Sequence, residues 1–198
     1  LKHYKFRNLK EIHEYSSLSI NPFAKIKDFL KTNLNVKPTM RIFNSEIIKK
    51  NLNFNDDIPY IYRDAGVDED FFNYNNISKK EYDLVYAGST DKSRVGLDRC
   101  IKIFLSMGLS VLIVGKYTNE FYNSLKNFKN VEFTGQQPRD RLPHIYSQAK
   151  YGLNYTPDVY PVNLQDSLKT KEYCAAGLKV ISNKYYWVKN FCEIRNGK

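Results

Sequence analysis

The chain has 198 residues, 42% of them apolar and 15% aromatic, which is enough to bury a core and excludes a disordered chain. A formal net charge of +10 favours an acidic partner: nucleic acid, an anionic membrane surface or a phosphorylated small molecule. The basic residues are scattered and the aromatics fall mostly at apolar-periodic positions, which excludes the basic stripe with stacking rings that a nucleic-acid groove needs.

In chain order, "KIKDFLKTNL" (Lys25 to Leu34) is amphipathic, and "TMRIFNSEIIKKNL" (Thr39 to Leu52) reads as strand, Ser45 cap and helix. "DIPYIYRDAGVDEDFF" (Asp57 to Phe72) reads as an extended segment followed by a turn at Gly66, and the polar "NYNNISKKE" (Asn73 to Glu81) as a linker. The domain boundary is expected near residue 75, dividing the chain into 1–75 and 76–198. From there the pattern is regular. "DLVYAG" (Asp83 to Gly88), "SVLIVG" (Ser110 to Gly115), "VEFTG" (Val131 to Gly135), "YGLNY" (Tyr151 to Tyr155) and "KVIS" (Lys179 to Ser182) read as buried strands, three of them ending in glycine. Between them, Leu97 to Gly108, Asn119 to Phe128 and Arg141 to Lys150 have helical spacing, the last entered at Pro138.

Such alternation predicts right-handed crossovers and a parallel sheet with helices on both faces. Ligands of these sheets bind off the carboxyl ends of the strands, here Gly88, Gly115, Gly135 and the loop after Tyr155. Each glycine alone reads better as a turn residue, and the three together point to a ligand edge. Cys100, Cys174 and Cys192 have no paired spacing and read as reduced thiols of a cytosolic protein, Cys100 and Cys174 packing in the core. No apolar run reaches transmembrane length, and no signal peptide is expected. Leu1 in place of methionine and the ending "EIRNGK" suggest a fragment.

"SLKTKEYCAAGLKVIS" (Ser167 to Ser182) holds a local conflict. Ser167 reads as an N-cap and Leu168 to Ala176 as a helix stopped by Gly177. Lys169 and Lys171 then sit in or beside the first turn, where the positive end of the helix dipole disfavours cations by roughly 0.3–1 kcal/mol. A docked anion would reverse that sign. The alternative is that both lysines are solvated and Glu172 pairs with one of them.

The same stretch resembles the signature helix of retaining glycosyltransferases of the two-Rossmann-domain (GT-B) type, family four and its relatives. "VEFTGQQPRDRLPHIYSQAKYGLNYTP" is similar to that family's strand, turn, short helix and next strand, and "VYAGSTDKSRVGLDRCIKIF" to its opening strand, basic loop and first helix. "FNSEIIKKNL" with "IPYIYRDAGVDEDFF" resembles the end of the N-terminal domain and the crossover, and "EIHEYSS" a loop near the acceptor. Two departures stand out. Leu164 occupies the place of the first of two glutamates, eight positions before Glu172, which bears on sugar selectivity and the transfer mechanism. The phosphate-binding charges of the first loop are out of frame, leaving Lys92 or Arg94, of which Arg94 is preferred.

The resemblance implies a nucleotide-diphosphate sugar as donor and a glycan or lipid-linked acceptor, in cell-envelope or capsule synthesis. It places 1–75 in an acceptor-side domain and 76–198 in a truncated nucleotide-sugar domain, so that the chain alone transfers no sugar. The diphosphate would meet Gly88, Arg94, Lys169 and the N–H groups near Ser167 and Leu168, where a helix end binds phosphate. Glu172 would take the ribose hydroxyls, and the backbone of Gly135, Gln136 and Gln137 the edge of the base. His13 would contact acceptor or donor sugar, while His3 carries no signal and His144 is expected to pack on its helix. No metal or other cofactor is implied, since basic residues can neutralise the leaving group. A cytoplasmic place follows, with peripheral contact to an anionic inner-membrane face and no nucleic acid. The alternatives are a non-catalytic nucleotide-sugar-binding partner subunit and a sugar-nucleotide epimerase of similar fold.

Overall fold

The computed structural model describes residues 10–73, 80–91 and 93–194. The chain divides into two compact units, one running to Ala65 and taking in Tyr160–Asp166, the other holding Gly66–Val159 and the chain from Ser167 on. The change of unit at Ala65 precedes the polar linker expected near residue 75, and 74–79 lie outside the described residues.

The first unit has three parallel strands in the order β1 (Ile12–Tyr15), β2 (Met40–Phe43), β3 (Tyr60–Tyr62). Helix α1 (Ala24–Asn33) lies between the first two strands and α2 (Glu46–Leu52) between the second pair. Tyr15, Leu18, Phe43, Ile48, Leu52 and Leu164 form its core. Ser45 takes the N-cap position of α2 in extended conformation but makes no side-chain cap bond. The amphipathic α1 buries none of its residues. No turn forms at Gly66; the next element is a 3-10 turn at Glu69–Phe72.

The second unit carries a five-stranded parallel sheet: β4 (Tyr82–Ala87), β5 (Val111–Val114), β6 (Val131–Gly135), β7 (Ala149–Asn154) and β8 (Lys179–Ser182), ordered β6-β5-β4-β7-β8. Period-two alternation sends neighbouring residues to opposite faces, and both faces are covered. Leu84, Tyr86, Val111 and Ile113 pack with Leu97, Ile101 and Leu105 of α3 (Leu97–Ser106) and with Phe121 and Leu125 of α4 (Asn119–Leu125). Val85, Ala87, Leu112 and Val114 pack with Tyr146 of α5 (Leu142–Ser147) and with Tyr173, Ala175 and Ala176 of α6 (Leu168–Ala175) and its end. This is the doubly covered sheet that the sequence predicts.

A last helix, α7 (Tyr186–Ile194), was not foreseen, although Val188 is its buried anchor; residues 195–198 lie outside the description. Two further expectations need correcting. Cys174 is exposed, because α6 turns Glu172, Tyr173 and Ala175 inward and leaves position 174 facing out. His144 is exposed. Cys100 does lie half-buried against the α3 cluster.

The carboxyl edge of the sheet is interlocked. Gly88 N–H donates to Val114 O at 2.9 Å and Gly115 N–H to Gly135 O at 2.8 Å. Gly115, at φ +122°, could carry no Cβ, since one would stand 2.5 Å from Gly88 O. On the opposite side, an added Cβ at Gly152 of β7 would run into the ring carbons of Tyr173. That close approach seats α6 on the sheet.

Candidate functional site

Helix α6 is held by its N-cap residue. Ser167 Oγ accepts from Thr170 N–H at 3.4 Å and donates to Asn154 Oδ1 at 3.0 Å. Asn154, fully buried at the end of β7, also donates to Ser182 Oγ at 3.0 Å and to Tyr185 Oη at 3.2 Å. Farther along, Tyr173 Oη accepts from Ala87 N–H at 2.8 Å, tying the helix to the end of β4. Its N-terminus is therefore fixed against the carboxyl edge, beside the Gly88 turn.

Lys169 stands in that first turn. Its stem is partly exposed, yet Nζ is buried and has no hydrogen-bond partner among the described residues. Nζ lies 4.4 Å from the centroid of the Tyr86 ring and 3.7 Å from where a Cβ on Gly88 would be. Burial, with the nearby Arg94 guanidinium second, pushes its pKa down from 10.5 to about 7. Tyr86 is pushed up to about 12, chiefly by burial, so its hydroxyl supplies no negative charge at neutral pH. The solvated-lysine alternative does not describe Lys169. Lys171, the second cation of this turn, places Nζ 6.0 Å from the centroid of Trp187.

Arg94 enters from the loop after β4. Asp91 shapes this loop by accepting from Ser93 N–H at 2.8 Å, and Arg94 N–H donates to the Asp91 carbonyl at 2.9 Å. The guanidinium donates to Thr156 Oγ1 at 3.3 Å. It also lines a cavity of about 600 Å³ with Thr90, Gly96, Arg99 and Thr118, which Lys169 and Glu172 do not reach. The other loop cation considered, Lys92, lies outside the described residues.

Glu172, one turn beyond Lys169, has a different surrounding. Its side chain is 5% exposed, and Oε1 lies 2.9 Å from Arg139 Nη1. Burial pushes the carboxyl up, opposed chiefly by Arg139 and then by Tyr146, whose hydroxyl donates to Oε2 at 3.4 Å. Glu172 therefore pairs with Arg139. Arg139 follows the turn at Gly135, Gln136 and Gln137. Gln137 is fixed by Nε2 donating to Thr134 O at 2.8 Å, whereas Gln136 is exposed.

In the second unit, then, Gly88, Arg94, Ser167, Leu168 and Lys169 gather around one helix end, and the Gly135–Gln137 turn leads through Arg139 to Glu172. His13 belongs to the first unit, where its ring meets Tyr15 Oη at 3.3 Å and Glu11 Oε2 at 3.5 Å. Leu164, eight positions before Glu172, is buried in the first unit's apolar core. Sequence reasoning missed Arg139, Tyr146, Tyr86 and Asn154. Among the described residues no group of three His, Cys, Asp or Glu side chains is placed to hold a metal ion, and no helix is long and apolar enough to cross a membrane.

No family model and no curated protein matches the chain. Solved structures do. HepE of Anabaena, in complex with UDP-glucose, aligns with TM-score 0.69 at 12% identity over 90% of this chain and 54% of its own. Sucrose-phosphate synthase of Thermosynechococcus elongatus aligns with TM-score 0.67 at 16% identity over 92% and 52%. AviGT4, a glycosyltransferase involved in avilamycin A biosynthesis, aligns with TM-score 0.60 at 15% identity over 78% and 49%. The likeness is one of fold: parallel α/β layers as in GT-B glycosyltransferases, with the chain spanning about half the length of each of these structures.

Proposed function

We propose that the chain is the donor-binding part of a glycosyltransferase that moves a sugar from a nucleoside diphosphate to a glycan or lipid-linked acceptor. The observation that carries this reading is the buried Lys169 ammonium, without a hydrogen-bond partner at a helix N-terminus beside the Gly88 turn. A cation there is unfavourable on both counts of burial and dipole, and a diphosphate removes both penalties. Arg94 and the N–H groups near Ser167 and Leu168 complete the anion site, and Glu172 takes the ribose. The backbone at Gly135, Gln136 and Gln137 meets the base.

In the transfer step, negative charge grows on the leaving diphosphate, and Lys169 with Arg94 stabilises it without a divalent ion. His13 is assigned to acceptor or donor sugar. The fold neighbours solved with UDP or UDP-glucose support a nucleotide-sugar donor and make UDP the first probe. The envelope or capsule role, the cytoplasmic place and peripheral contact with an anionic membrane belong to the same proposal and rest on the family resemblance and the +10 charge.

A thermal-shift panel tests it: nucleoside diphosphates and their sugars should raise the melting temperature, and the matching nucleosides should not. No shift with any diphosphate would refute the reading. A second reading, a nucleotide-sugar-binding subunit without turnover, is favoured by the buried Leu164 where the family carries a glutamate. Hydrolysis or transfer of labelled donor by the full-length protein would exclude it.

A further inference from the structure

We infer that Arg139 is a positioning residue of the nucleoside site, holding Glu172 as a carboxylate set to accept the two hydroxyls of a ribose. The inference rests on the donor-site reading above, in which Glu172 binds the ribose. A carboxylate can accept both hydroxyls only when ionised, and Glu172 is in a place that opposes ionisation. Three segments bring polar groups to it. Arg139 comes from the 3-10 turn Arg139–Arg141, with Nη1 2.9 Å from Oε1. Tyr146 comes from α5, its hydroxyl donating to Oε2 at 3.4 Å. Asp68 comes from the segment before Glu69–Phe72 and adds like charge. Tyr173, on the same helix, is neutral, its pKa raised far above 10 by burial.

Arg139 is thus the cation that offsets both the burial of Glu172 and the repulsion from Asp68. It is itself held in place. Nε donates to Asp68 Oδ2 at 2.9 Å, and the guanidinium carbon lies 5.6 Å from the centroid of the Phe71 ring. Oε1 is buried and meets Nη1, Oε2 meets the Tyr146 hydroxyl, and each oxygen keeps a further lone pair for a ribose hydroxyl. The pair therefore provides charge without saturating the acceptor. Arg139 also follows directly on the turn assigned to the base, which joins the two halves of nucleoside recognition through one short segment.

The test compares UDP with 2′,3′-dideoxy-UDP, so that the ratio of affinities reports the ribose hydroxyls and cancels the titration of the phosphates. Wild type should prefer UDP by about tenfold, evenly from about pH 6 to about pH 8. Arg139→Gln should weaken the preference, more at the lower pH than at the higher, while Arg139→Lys keeps it throughout. Pyrophosphate affinity should be the same in all three. An unchanged ratio in Arg139→Gln, or one lowered equally at both pH values, would overturn the inference and leave the diphosphate site standing. Absence of UDP and pyrophosphate binding in wild type would overturn the donor-site reading together with it.

Discussion

Two charges are buried one turn apart on α6, and the protein treats them differently. Glu172 is met by Arg139 and Tyr146, groups brought from elsewhere in the chain to neutralise and hydrogen-bond it. Lys169 is met by an aromatic ring and the repulsion of Arg94, and its Nζ has no hydrogen-bond partner among the described residues. Burial of an unpaired ammonium costs stability, and groups perturbed in this way cluster at functional sites. The carboxylate has its counter-charge within the chain. The ammonium becomes complete only with an anion present.

The largest expected effect would disturb both charges at once. Gly152→Ala places a Cβ against the Tyr173 ring and should unseat α6, lowering stability by about 3 kcal/mol in thermal or chemical unfolding. A loss near zero would mean that α6 is not fixed by that approach.

Next comes Arg139→Gln, which leaves the carboxylate without its cation. Stability should fall by about 1 kcal/mol at neutral pH, a modest figure because Arg139 is half exposed. Glu172 has its folded pKa raised above 4.5, so its charged form is the unfavourable one. The loss should therefore shrink as pH falls towards 4.5, where the group takes up a proton in either variant. A loss constant with pH would remove the ion pair from the comparison.

The smallest effect has the opposite sign. Lys169→Met exchanges an ammonium without a hydrogen-bond partner for an apolar chain of similar length, and should stabilise the free protein by about 1 kcal/mol near pH 6.5. The pH sign follows from the lowered pKa, 10.5 when unfolded and about 7 when folded. Between these values the unfolded chain holds more protons, so the contribution of Lys169 to wild-type stability rises with pH across that window. The variant should lack that rise in unfolding measured at several pH values. Destabilisation at all pH would show that Lys169 is satisfied.

Most of the fold was legible because strand and helix alternate with clean period and the strands end in glycine. The misses have physical reasons. Helix α7 lacks a glycine or capping signal at its start, and the turn expected at Gly66 rested on one permissive residue at which no turn forms. At the site, Lys169 could be singled out from sequence because a cation at a helix N-terminus violates a local rule. Arg139 and Tyr146 violate nothing locally. Their role arises only when α5 and its entry turn pack beside α6, a tertiary fact that periodicity does not carry. Tyr173 on Gly152 was hidden in the same way, although the small residues after it suggested tight packing.

The most direct test of the central claim is a calorimetric titration of UDP and of pyrophosphate into wild type and Lys169→Met, run near pH 8 in two buffers of different ionisation enthalpy. Lys169, at about 7 in the free protein, must gain a proton to meet the phosphates, so wild-type binding should take one up from the buffer. The variant should bind both ligands about 10–100-fold more weakly, the scale of one charged hydrogen bond, and without proton uptake. Equal affinity in the two proteins, with no buffer dependence in either, would contradict the assignment of Lys169 to the diphosphate.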